Sequence, residues 1–206
     1  MANVFARSLP TYSSEAGLQK SLGQPNSFAN IVNPLITNPC IAETFPSLTL
    51  LGAEIYSLEA TVVTNYSGWI PSGWRFSQPS VDIHNASFCN ITVSYTHPGH
   101  NDKVNVEAWL PTTGWNGRLQ AVGGGGWRAG RFILSYAGML GAIADGYATV
   151  TTDAGLGNAV GPMSWALVSP GNSNLYALHD LGSQTLNDEV WNDLCLGTNP
   201  TDTIRQ

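Results

Sequence analysis

Four consecutive glycines, Gly123–Gly126, stand between two apolar segments, and no other stretch constrains the fold as strongly. A tetraglycine costs folding entropy, so its use between structured elements points to a backbone that needs positive φ or open access to a ligand. Arg118–Val122 before it suits a short strand. Phe132–Ala144 after it is apolar on nearly every face and reads as a helix buried on more than one side. Tyr147–Thr152 is rich in β-branched residues and reads as the next strand. A strand–helix–strand unit of this length implies a parallel pair with a right-handed crossover. Ligands in such sheets bind at the carboxyl ends of the strands, where Gly123–Gly126 and Asp153 both fall.

The chain of 206 residues suggests one domain, or most of a larger one. Only 11% of its residues are charged, against about a quarter in an average globular chain. Ser, Thr, Asn and Gly must therefore hydrate the surface, as is common in secreted proteins. The net charge of −6 argues against a nucleic-acid partner. No apolar run approaches the roughly 20 residues of a membrane span, so no membrane partner is expected. The opening MANVFARSLPTYSSEAG lacks the apolar core of a secretory signal. The chain thus reads as intracellular, or as one whose gene starts elsewhere.

Three sequons, at Asn65, Asn85 and Asn90, are glycosylation candidates if the chain is secreted. Cys40, Cys89 and Cys195 make an odd count. A Cys40–Cys89 bridge would suit an extracellular protein and leave Cys195 alone; the alternative is three buried thiols in a cytosolic one. Because Cys89 sits in a strand and Cys40 precedes an apolar run, the bridge is the expectation.

Residues 1–39, broken by four prolines, read as a loose arm. Glu54–Tyr66 alternates enough for one or two strands, and Ser67–Ser80 reads as a loop. Trp69 and Trp74 in that loop suit either a sugar or phenol platform or, more commonly, a small satellite core. Phe88–Thr96 and Lys103–Leu110 form an antiparallel hairpin around a turn at His97–Asp102. Leu175, Leu178, Leu186, Val190 and Leu194 mark an amphipathic helix, with Ser173 or Asn174 as its N-cap.

No G-x-S-x-G nucleophile turn is present. His84, His97, His100 and His179 match no zinc spacing, and His97 with His100 reads as a solvated turn, so no metal site is expected. The glycines do not fit a phosphate loop, since no Lys follows them. They do fit the glycine-rich oxyanion loop after the third strand of an esterase, where backbone N–H groups stabilise charge on a carbonyl oxygen. A tight turn without a ligand is the plain alternative.

The segments FCNITVSYTHPGHNDKVNVEAWLPTTGWNGRLQAVGGGGWRAG and GYATVTTDAGLGNAVGPMSWALVSPGNSNLYALHDLGSQTLNDEV are similar to fungal members of the tannase and feruloyl esterase family. The likeness runs from about Cys40 to Val190, and W-N-G-R-L-Q followed by a glycine loop and T-D-A-G-L-G-N is not generic. It implies an α/β fold: the N-terminal part of an α/β-hydrolase, a mixed sheet with crossover helices, incomplete here. It also implies a secreted serine esterase whose partner is a small phenolic ester of an acid such as ferulate or gallate. The family adds a Ser-Asp-His triad, a lid carrying a structural calcium, and a disulfide joining cysteines beside the serine and histidine.

In the family, the helix matching Asn174–Val190 leads into a strand and a C-S-x-G-G turn, whereas here WNDLCLGTNPTDTIRQ follows. Residues 40–206 therefore read as a partial hydrolase domain without nucleophile, lid, triad Asp or triad His. No catalytic residue carries over, no cofactor is expected, and the chain alone is expected to be inactive. What carries over is the oxyanion loop at Gly125, Gly126 and Trp127. Asp153 is expected on the same rim, bonding local backbone. A non-catalytic aromatic-rich domain binding plant phenolics or glycans is the alternative reading.

Overall fold

The structure, a computed structural model, describes residues 39–45, 47–75 and 78–183. The expected arm at 1–39 lies outside them except for Pro39, as do Cys195 and the helix expected beyond residue 183.

The architecture is α/β. Five strands, β1 (Glu54–Ile70), β2 (Val81–Thr96), β3 (Val104–Pro111), β4 (Leu119–Ala121) and β5 (Ala148–Thr152), form one mixed sheet in the order β1-β2-β3-β5-β4. The strands β1, β2 and β3 pair antiparallel, and β3 also runs antiparallel to β5. Only β4 and β5 are parallel, and α1 (Ile133–Ala144) connects them. The expected hairpin and crossover unit are thus both present. Two short strands, β6 (Leu167–Ser169) and β7 (Asn172–Ser173), pair separately before α2 (Leu175–Gly182). Asn174 caps α2 by accepting from the Ala177 N–H at 3.3 Å, satisfying one of the donors a helix start leaves free. Among the described residues no helix is long and apolar enough to cross a membrane.

One segment departs from expectation. Ser67–Ile70 belongs to β1 rather than to a loop, with Gly68, Trp69 and Ile70 opposite Ile83, Asp82 and Val81. Its Ser and Gly content suggests a turn, but pairing with β2 satisfies its backbone and buries Ile70 beside Ile83 and Ala137. Trp69 and Trp74 stay 63% and 45% exposed, so they form no satellite core.

Strand alternation gives the sheet two different faces. On one, Cys89, Ile91, Val93, Val106, Ala108, Leu110 and Val150 form an apolar core, covered by Phe45, Leu48, Leu50 and Ala53 of the segment before β1. Burying side chains such as Ile91 and Val93 contributes about 1.5–3 kcal/mol each. The other face is covered by α1, whose Met139 and Ile143 pack on Phe88, Trp109 and Val122. Toward the carboxyl ends of β4 and β5 this second face becomes polar, with Asn105, Glu107, Thr151 and Asp153 along it.

Candidate active-site region at the carboxyl ends of the parallel strands

Two loops meet where β4 and β5 end. The first, after β4, folds back on itself: a Cβ at Gly124 would collide with the carbonyl oxygen of Arg128. Gly126 has φ +64°, in the region L side chains avoid, and nothing crowds the space beside it. The Arg128 N–H donates to the Gly125 carbonyl at 3.3 Å, and Ser135 Oγ of α1 donates to the Gly123 carbonyl at 3.1 Å. Among the described residues, the N–H groups of Gly125, Gly126 and Trp127 donate to no protein acceptor. All three residues are exposed, and Trp127 meets Trp165 edge-on at 6.3 Å.

The loop then touches β5. Gly130 packs so closely on Thr151 that a Cβ would collide with Thr151 Oγ1, and the Arg131 N–H donates to that oxygen at 3.2 Å. Arg131 has φ +52°, unusual for a residue with a side chain. Its Nε donates to Glu107 Oε2 at 3.1 Å, and its Nη1 lies 3.6 Å from Asp153 Oδ2. Glu107 also accepts from Tyr136 Oη at 2.9 Å and from Trp109 Nε1 at 2.9 Å. Asp153 accepts from the Asn105 N–H at 2.9 Å, from Asn105 Nδ2 at 2.6 Å and from the Gly155 N–H at 3.0 Å. Burial, then the Glu107 carboxylate, raises the Tyr136 pKa and keeps the phenol protonated. Burial works against the Arg131 charge, but Glu107 outweighs it and the pKa rises.

Asn105, Arg131, Tyr136, Asp153, Gly157 and Asn158 line a cavity of about 280 Å³. Asp153 lies at the carboxyl end of β5 and accepts from the Gly155 N–H. Gly125, Gly126 and Trp127 are not among the residues lining this cavity. Glu107, Arg131 and Tyr136 have no local sequence signature. Glu107 lies on β3, Arg131 in the loop before α1 and Tyr136 on α1, so only the fold brings the network together.

Elsewhere, Cys40 and Cys89 are disulfide-bonded with Cα atoms 5.6 Å apart, as expected. Asn65 and Asn85 are exposed and both have positive φ. Their sequons interlock: the Asn65 N–H donates to Ser87 Oγ at 3.1 Å and the Asn85 N–H to Ser67 Oγ at 3.0 Å. Asn90 differs, being half-buried with a buried, unbonded Oδ1.

The turn at His97–Asp102 is not simply solvated. It brings His97, His100 and Asp102 against Asp180 of α2, a grouping no sequence spacing announces because Asp180 arrives from a distant helix. With two imidazoles this cluster does not suit calcium, which prefers oxygen ligands.

No family model and no solved structure matches the chain. Among its curated relatives, a "probable feruloyl esterase" from Arthroderma benhamiae is 43% identical over 117 residues, covering 54% of this chain and 20% of the relative. An uncharacterized esterase from Xanthomonas campestris pv. campestris is 31% identical over 116 residues, covering 55% of this chain and 19% of the relative. The chain thus spans about a fifth of the length of these relatives. Their names bear out the resemblance to a feruloyl esterase and tannase-like family over about half of the chain.

Proposed function

We propose that the chain is the N-terminal part of a carboxylic ester hydrolase of the feruloyl esterase and tannase type, acting on small phenolic esters such as those of ferulate or gallate. The similarity to a protein named a feruloyl esterase carries this reading. The fold supports it, because an antiparallel hairpin feeding a parallel crossover is how an α/β-hydrolase sheet begins. The glycine loop supports it too: Gly125, Gly126 and Trp127 hold N–H groups without protein acceptors at the carboxyl end of β4. Such donors stabilise the oxyanion that forms when a nucleophile attacks an ester carbonyl.

The sequence contains no serine in a nucleophile turn, so the 206 residues alone are not expected to turn over an ester. On this reading the nucleophile, the triad Asp and the triad His are supplied by the longer protein that carries this segment. Secretion is part of the proposal, supported by the Cys40–Cys89 disulfide and the exposed sequons at Asn65 and Asn85. Secreted material with free Cys40 and Cys89 thiols would count against it.

The decisive assay is hydrolysis of methyl ferulate by the longer protein that carries this segment. Gly126→Val, strained at φ +64°, should lower kcat by about a hundredfold, the scale of losing one oxyanion donor. Full activity in that variant would reduce the loop to a simple turn. Binding of the ester without turnover would favour a non-catalytic phenolic-binding domain instead.

A further inference from the structure

We propose that His97, His100, Asp102 and Asp180 form a structural site for a divalent transition-metal cation of the zinc class. One ligand atom from each residue lies within 4.8 Å of all the others. Zinc ligands in a tetrahedral site sit about 3.3 Å apart, so a modest side-chain closure would complete the shell. Two imidazole nitrogens and two carboxylate oxygens suit zinc.

A second observation points the same way. The Asp180 side chain is 4% exposed, and its Oδ1 is buried with no hydrogen-bond partner. The nearest imidazole nitrogens, His179 Nδ1 and His97 Nδ1, stand 3.7 and 3.9 Å from it, beyond hydrogen-bond reach. His100 Nδ1 is likewise buried and unbonded. Burying such atoms without partners is costly, and a cation between them offsets that cost.

The surrounding contacts hold the ligands in place. Asp102 Oδ1 accepts from Thr96 Oγ1 at 2.8 Å and from the His97 N–H at 2.9 Å. The His97 ring meets Tyr95 edge-on at 5.5 Å, and the His100 ring stacks on Tyr176 of α2 at 3.9 Å. Asp102 Oδ2 and His97 Nδ1 are hydrogen-bonded to each other at 2.6 Å. Three ligands lie in the β2–β3 turn or at its edge and one lies on α2, so the cation would tie that helix to the hairpin.

The test is zinc titration of the tag-free, chelator-treated chain against a chromogenic chelator, followed by cobalt substitution. The expected result is one equivalent of tightly held zinc, a tetrahedral cobalt spectrum, and a thermal midpoint raised by zinc. Asp180→Asn and His100→Ala should each weaken zinc by about tenfold or more and remove the thermal shift, while His84→Ala should change nothing. His100→Ala, in the turn, serves if Asp180→Asn does not fold. Absent zinc binding, binding unchanged in both variants, or a preference for calcium would each overturn the site. In the first case the cluster would be only a histidine–aspartate network.

Discussion

Arg131 keeps a left-handed backbone at φ +52°, a conformation that costs a non-glycine residue about 1–3 kcal/mol when the surroundings impose it. Here its N–H reaches Thr151 while its guanidinium reaches Glu107 and Asp153. Both carboxylates are nearly inaccessible, with side chains 7% and 4% exposed, so Arg131 supplies counter-charge that water cannot. Removing one member of a buried charged group costs about 3–5 kcal/mol, because the others remain uncompensated. Arg131→Met should therefore lower urea stability by about 3 kcal/mol, with part recovered in the Glu107→Gln/Arg131→Met double variant. A loss below about 1 kcal/mol would rank the pair with exposed salt bridges. The bond from the Gly155 N–H to Asp153 follows a local rule, since an Asp before a glycine loop commonly bonds that backbone. Glu107 follows none, because a charged residue inside an apolar strand gives no hint of its partners.

At the level of elements, period and turn chemistry located the hairpin, α1, β5 and the start of α2, whose Asn174 cap stands as expected. They failed at Ser67–Ile70, where pairing with β2 overrides a loop-like composition. That added length of β1 brings two sequons face to face. Asn65 and Asn85 stand at irregularities in the β1–β2 register, each backbone N–H held by the other's sequon serine. Both side chains face solvent, whereas Asn90 is half-buried between two paired strands. Peptide mass mapping of protein made through a secretory route should find glycans on Asn65 and Asn85 and bare Asn90. Full occupancy at Asn90 would mean that β2 is more accessible than its pairing implies.

For the molecule as a whole, the two outer strands of the sheet are unlike. The strand β1 is long but interrupted by three register shifts, which blunt an edge. The other outer strand, β4, pairs only with β5 among the described residues and carries no such irregularity. An unpaired edge recruits other chains, so the isolated chain should associate as its concentration rises, as sedimentation velocity would detect. A chain that stays monomeric and melts sharply and reversibly would contradict this. No local signal in the sequence tells an outer strand from an inner one, so the place of β4 at the edge follows only from the topology. The Cys40–Cys89 bond spans 49 positions and encloses the turn at Leu51, which is 95% exposed. The backbone between those cysteines is therefore a closed ring. A protease that cuts at Leu51 opens the ring without releasing a fragment. The nicked protein should migrate as one band on a denaturing gel and separate into two pieces only after thiol treatment.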